Sequence, residues 1–283
     1  MSKAVSVIIP SYNRAHILPR TIPTYVQDHV CEIIIVDDLS TDNTESVVKS
    51  IMREIPMVKY IRAPKKVLQT GAKNIGIKEA KGDFCYFGDD DSIIKPNTIP
   101  NLLETCLKYP NSIVGARHIY LTQEDNLEER VADVQIHVFE NLDDFIDRKN
   151  IKVDTYKKYN RIIEVPFCQS CFMLDTATAK KQLYYEGYVG TCNREETDYQ
   201  MQVCINYGYK IILNNEALSL DLPRILSSGG IRSVKNYKRH FMEIYNEYQF
   251  WKRNNSYLVT ITDINPNPYL RALYMLIRKI IKF

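Results

Sequence analysis

Between residues 5 and 116, short apolar runs alternate with segments of helical character, and this alternation restricts the possible folds more than any other feature of the chain. The apolar runs are 5–9, 32–36, 58–61, 84–87 and 112–116. Helices are expected over 17–30, from the capping residues Thr41–Thr44 to about Arg53, over 71–80 and over 97–109. Strands separated by helices of about ten residues imply parallel βαβ units. Because the runs do not alternate apolar with polar, both faces of the sheet should be covered. The expectation is an α/β fold with a mostly parallel central sheet flanked by helices. Residues 123–165 are charged and irregular and read as an insertion or subdomain. Strand character returns over 167–174 and 210–213, and helical character over 176–183 and 195–207, with Gly208 as C-cap. A long helix over 234–252 and an amphipathic helix over 269–283 form a C-terminal extension.

The run at 84–87 delivers Gly88 and then three acids, Asp89, Asp90 and Asp91, to its carboxyl end. Ligands of open α/β sheets bind at that end of the strands. Clustered carboxylates on a buried strand are costly unless a cation neutralises them. A hard divalent ion, Mn2+ or Mg2+, bridging to a phosphate is the simplest account. A solvated Asp-rich turn is the plain alternative.

Several classes lose support. There is no GxGxxG after the first strand and no GxxxxGK[ST], which disfavours dinucleotide and P-loop sites. Net charge is only +3, so a nucleic-acid surface is not expected. No run of about 18 apolar residues suggests a membrane span, and Met1-Ser2-Lys3 leads straight into a strand, leaving no room for a signal peptide. A cytoplasmic location, or the inner face of a membrane, is expected. Of the seven cysteines, Cys31, Cys85, Cys106 and Cys204 read as buried thiols, and Cys168 and Cys171 lack a partner pair for zinc. The five histidines show no ligand spacing and read as structural or surface residues.

Further motifs stand in a fixed order: Val7-Ile-Ile-Pro-Ser-Tyr-Asn-Arg14, Ile34-Ile-Val-Asp-Asp38, Ser40-Thr-Asp-Asn-Thr44, Gly71-Ala-Lys-Asn-Ile-Gly76, Gly88-Asp-Asp-Asp91, Glu195-Glu-Thr-Asp198 and Gly208-Tyr-Lys-Ile211. Over roughly residues 4–232 this order resembles the inverting family-2 glycosyltransferases of GT-A fold, most specifically in the first 91 residues. The resemblance implies a catalytic domain over 1–232, with a nucleotide-sugar-binding half at 1–110 and an acceptor-binding half at 111–232, followed by the helical extension at 233–283. It implies a hexosyl donor carried on a nucleoside diphosphate, UDP favoured and GDP possible, and a glycan or lipid-linked acceptor.

The resemblance also assigns roles. Pro10, Tyr12 and Arg14 would face the base, ribose and diphosphate. Asp38 would accept from the base; a capping or solvated Asp37–Asp38 pair is the alternative. Lys73 stands where the family has Arg, which keeps the charge but loses the fork; it would bind phosphate or lie on a helix surface. Asp89 and Asp91 match the DxD metal acids, with Asp90 between them in the donor site. Glu196 takes the general base's position, with Glu195 or Asp198 as substitutes, while first-turn acids that merely favour a helix N-terminus are the alternative. Asp221 replaces a family histidine as a possible oxygen ligand, and Arg232 would cover the diphosphate. A nucleotidyltransferase would need a glycine-rich loop after the first strand, and Pro10–Arg14 has no glycine. A non-catalytic binding module is disfavoured by the intact acids. The basic amphipathic C-terminus, with Arg271, Arg278, Lys279 and Lys282, suits either an anionic membrane surface or packing on the protein itself.

Overall fold

β-branched residues dominate the N-terminal apolar runs, and each becomes a strand of one sheet. The computed structural model describes residues 3–122, 136–137, 146–148, 151–155, 158–159, 161–168, 170–227, 236–262 and 264–281. Strands β1 (Val5–Ser11), β2 (Val30–Asp37), β3 (Val58–Arg62) and β4 (Phe84–Phe87) pair in parallel, in the order β3-β2-β1-β4. The parallel pairs require crossovers. Helices α1 (Leu18–Thr21), α2 (Thr44–Glu54) and α3 (Leu68–Glu79) lie on them. Successive strand residues serve opposite core layers, as strand geometry dictates. Ile8 and Ile34 pack with Ala72 and Ile77 of α3, while Val7, Ile9, Ile33 and Ile35 pack with Val48 of α2.

The second half of the sheet is mixed. It contains β5 (Ser92–Ile94), β6 (Ser112–Tyr120), β7 (Ile163–Val165), β8 (Phe172–Asp175) and β9 (Lys210–Asp221), with α4 (Thr98–Lys108) before β6. β8 lies antiparallel between β4 and β6. β9 runs parallel to β6 and antiparallel to β7 and to β5. The parallel character expected from the sequence therefore belongs to β1–β4, with a further parallel pair at β6 and β9.

Three elements differ from expectation. The helix foreseen over 17–30 is only α1 plus a 3-10 turn at Ile22–Tyr25; Pro23 lacks an N–H, and His29 takes a φ of 69°. β8 starts at Phe172 because Cys171, at φ 69°, leaves strand geometry. β9 extends to Asp221 across a register shift, where Asn214 donates to Asn101 O and Thr105 Oγ1 and accepts from Glu216 N. Cys31 is exposed rather than buried, whereas Cys85, Cys106 and Cys204 are buried. Of the expected insertion at 123–165, residues 123–135 lie outside the described residues; Ile136–His137 pairs with Lys158–Tyr159, and Ile146–Asp147 with Lys152–Val153.

Three features place the site. Helix α5 (Thr176–Lys181) is capped by Asp175, whose carboxylate accepts from Thr178 N. Helix α6 (Glu195–Tyr207) ends at Gly208, as expected, at φ 68° and with its N–H on Cys204 O. The C-terminal helices are α7 (Asn236–Arg253), α8 (Asn255–Ile261) and α9 (Pro268–Ile281). Phe250, Trp251 and Leu258 are fully buried in the same core layer as Tyr188 and Tyr199. α9 lies along α7, with Tyr269 against Tyr248 at 5.2 Å and the Arg271 guanidinium over Trp251 at 4.5 Å.

Candidate active site

Three parallel strands end at one cleft of about 340 Å³. Pro10 lines it from the end of β1, Tyr12 and Arg14 from the loop that follows, Asp38 from the end of β2, and Asp89, Asp90 and Asp91 from the turn after β4. The opposite wall carries Gly190, Thr191, Glu195 and Glu196, and Asp221 enters from the end of β9. Among the described residues, those expected from the sequence thus meet in one place, except Lys73 and Asp198, which do not line the cleft.

The acidic turn is held by its backbone. A Cβ on Gly88 would come within 2.8 Å of the Tyr25 ring, so a side chain there would displace the turn. Tyr25 Oη donates to Asp89 O at 2.8 Å, Thr21 Oγ1 to Asp90 O at 3.0 Å, and Leu222 N to Asp91 O at 2.8 Å. The carbonyls are used in this way, and the carboxylates line the cleft, those of Asp90 and Asp91 against Arg14. Burial raises the Asp89 carboxyl well above the usual carboxylate range; Glu196, Asp221 and Asp91 add to this and Lys73 opposes it. Burial likewise raises Asp90, to about 7, against the pull of Arg14. The buried Arg14 guanidinium sits 3.3 Å from Asp90 Oδ1 and 3.2 Å from Asp91 Oδ2, and it donates to Ser227 O.

The two acids at the end of β2 have separate uses. Asp37 is structural, receiving Ser40 N at 2.9 Å, Tyr60 Oη at 2.6 Å and Arg62 at 3.0 Å. Asp38 faces the cleft, accepts from Val67 N at 2.7 Å and pairs with Lys66 at 3.0 Å. The Lys66 ammonium also stands over the Tyr12 ring, 2.9 Å from its centroid. Lys66 had no signal in the sequence beyond its charge.

Lys73 is not a surface lysine. It is 1 % exposed, and its ammonium lies 2.6 Å from Glu196 Oε1 and 3.4 Å from Glu195 Oε1. Burial works against its charge, yet Glu196, Glu195 and Asp89 outweigh it and raise its pKa. Glu195 is buried, accepts from the Gln69 amide and is pushed up to about 8, by burial first and by Glu196 next, against Lys73. Asp198 is 1 % exposed and is held by Arg253 at 3.1 Å and Asn254 at 2.6 Å. Paired to Arg253 at the end of α7 and to Asn254 between α7 and α8, it does not line the cleft.

His118 is fully buried and pairs with an acid of the cleft. Its Nε2 lies 3.0 Å from Asp221 Oδ2, and its ring meets Tyr120 edge-on at 4.8 Å. Burial lowers its pKa, but Asp221 and Cys171 prevail and raise it. The two-residue spacing of His118 and Tyr120 on β6 was the available signal. Asp221 also accepts from Ser92 Oγ. Cys168 and Cys171 are buried thiols, bonded to Gln200 and to Ser219 respectively. Arg232 and its glycine loop lie outside the described residues.

Among the described residues no three acid, histidine or cysteine side chains converge as a ready metal cage. The donors nevertheless fit a hard ion. Mg2+-type sites commonly take one or two carboxylates and complete their shell with substrate phosphate and water, and the mutual repulsion at Asp89, Asp91 and Asp221 is of the kind a cation relieves.

The chain is 26% identical over 264 residues to the glycosyltransferase GlyG of Streptococcus pneumoniae, covering 87% of this chain and 80% of the relative. Several further curated matches span only about a third of the relative's own length. Among solved structures, S. aureus TarS (residues 1–349, with UDP-GlcNAc) superposes with a TM-score of 0.61 at 15% identity, over 93% of this chain and 68% of that one. The mannosyltransferase PcManGT of Pyrobaculum calidifontis, with GDP-Man and Mn2+, gives 0.59 at 15% identity, over 97% and 69%. These likenesses establish a GT-A fold. Residues 6–175 match the model of glycosyl transferase family 2, and the chain, a glycosyltransferase, belongs to that family.

Proposed function

We propose that this enzyme transfers a hexosyl group from a nucleoside-diphospho-sugar, with UDP favoured over GDP, to an acceptor hydroxyl, inverting the anomeric configuration. The observation that carries the proposal is Glu196 facing, across one cleft, the acids Asp89–Asp91. The two solved neighbours contain UDP-GlcNAc in one case and GDP-Man with Mn2+ in the other, which supports a nucleotide-sugar donor here.

On this reading Asp38 accepts from the base, and Pro10 and Tyr12 bound the nucleotide. Arg14 and the acidic turn lie at the diphosphate. Asp89 and Asp91 would hold Mn2+ or Mg2+, which when bound neutralises charge growing on the leaving diphosphate. Glu196 accepts the proton of the acceptor hydroxyl as its oxygen bonds to the anomeric carbon. The bond from that carbon to the diphosphate oxygen breaks, and its electron pair leaves with the nucleotide. Attack opposite the leaving group inverts the centre. Donor binding is assigned to residues 1–110, and acceptor binding to 111–232 together with the wall at Gly190–Thr191.

The acceptor is proposed to be a glycan or a lipid-linked sugar at an anionic membrane on its cytoplasmic side. Leu270, Leu273 and Ile277 of α9 are about half exposed, and Phe241 and Tyr245 of α7 are exposed alongside. With Arg271 and Arg278 on α9, this is the apolar and basic combination that binds acidic lipid surfaces. Among the described residues no helix is long and apolar enough to cross a membrane.

The test is a panel of UDP-glucose, UDP-GlcNAc, UDP-galactose and GDP-mannose incubated with Mn2+. Release of nucleoside diphosphate by the wild type and its loss in Asp91→Ala is the expected result. No release from any donor would overturn the proposal.

A further inference from the structure

The family resemblance would put a phosphate-binding cation at position 73, but the geometry points to a different use of Lys73. Its ammonium does not reach the cleft surface. It is 1 % exposed, lies 2.6 Å from Glu196 Oε1 and 3.4 Å from Glu195 Oε1, and stands 5.2 Å from the centroid of the Tyr184 ring. An ammonium has three donors and no acceptor. Two carboxylates and an aromatic face surround this one, so a phosphate in the cleft would compete with partners already at contact distance. The lysine comes from α3, in the donor half, whereas both glutamates begin α6, in the acceptor half.

We propose that Lys73 is a positioning residue for Glu196: it anchors Oε1 and presents Oε2 to the acceptor hydroxyl. The inference rests on the transfer reading given above. Glu196 keeps 19% of its side chain exposed, whereas Glu195 beside it keeps 7%. Both line the cleft, and the pair is thus divided into one acid more open to it and one more deeply buried. Gln69 donates to Glu195 Oε1 and holds that second acid in place. Lys73 then fixes the more open acid from behind. Lysine suits this use better than arginine, because a compact ammonium can sit between two carboxylates without a planar fork that demands bidentate geometry. Misplacing a reacting group by about 1 Å can cost on the order of 100-fold in rate, so a single buried anchor accounts for a large effect.

A double-mutant cycle of Lys73→Met and Glu196→Gln tests the inference. Methionine at 73 would leave Glu195 as an uncompensated buried charge, a strongly destabilising change. The cycle is therefore built on Glu195→Gln, with folding checked by thermal unfolding. The readouts are UDP release from the donor that the wild type consumes and calorimetric binding of UDP with Mn2+. If Lys73 acts through Glu196, Lys73→Met alone lowers kcat by roughly 10- to 100-fold, and on Glu196→Gln it adds less than about 3-fold. UDP affinity stays within about 3-fold of its parent, since no phosphate contact is removed. Additive losses, or a UDP affinity weakened by about 10-fold or more, assign Lys73 to the phosphate and overturn the inference while leaving the transfer reading intact. A wild type that consumes no donor overturns both.

Discussion

Asn246→Ala removes a side chain that joins the C-terminal helices to the wall of the cleft. Asn246 is fully buried on α7, and its amide brackets Val189: Oδ1 accepts from Val189 N at 2.9 Å, and Nδ2 donates to Val189 O at 2.8 Å and to Asn193 Oδ1 at 3.0 Å. The next two residues, Gly190 and Thr191, line the cleft. Alanine deletes three hydrogen bonds and leaves the partners at Val189 and Asn193 unmet. At about 1 kcal/mol net per bond, with an added cost for orphaned groups that half-burial softens, the loss is about 2–4 kcal/mol. For a chain of this size that corresponds to a fall in Tm of roughly 3–7 °C. Urea unfolding followed by circular dichroism should show a lower midpoint with an unchanged slope. UDP binding should persist, because the donor wall is untouched, while the KM for acceptor rises. A midpoint shift worth less than about 0.5 kcal/mol, the range of ordinary surface substitutions, would refute the view that α7 is built into the site.

Asp91→Ala, and to a lesser degree Asp89→Ala, should abolish Mn2+-dependent binding of UDP in calorimetric titration; unchanged affinity in both would remove the metal assignment. Glu32 is buried between Ser6, Lys59 and Lys81 N, and although burial raises its pKa, these partners prevail and lower it below 4.5. A depressed carboxylate stabilises the fold fully above its unfolded value and loses that stabilisation as pH falls through the folded one. Stability should therefore drop below pH 4.5, and Glu32→Gln should flatten that acid limb in urea melts recorded at several pH values; an unaltered limb would count against it. Full-length protein should float with anionic vesicles at low salt and lose this on deletion of 269–283. Flotation unchanged by the deletion would reject the membrane surface.

The first four strands and the acids at their ends were legible because each is local. Ile33–Val36 is apolar whichever face it turns, and Asp38 and Asp89–Asp91 follow such runs directly. The apolar run of β9 ends at Leu213, whereas the strand continues past polar Asn214-Asn215-Glu216 through a register shift that Asn214 shapes. What was illegible is pairwise and distant. Arg14 reaches Ser227, Lys73 reaches Glu196 and His118 reaches Asp221, contacts that no periodicity encodes. Asp198 looked equivalent to its neighbours until Arg253 and Asn254 claimed it. The division of labour among clustered acids is thus set by partners more than 50 positions away along the chain.

The most direct test of the account is the rate of nucleoside diphosphate release by Glu196→Gln, measured with the donor that the wild type consumes and paired with calorimetry of UDP and Mn2+. The account predicts a loss of about 100-fold or more, the scale of a general base, with UDP affinity unchanged. Release at the wild-type rate from a folded Glu196→Gln protein would contradict it.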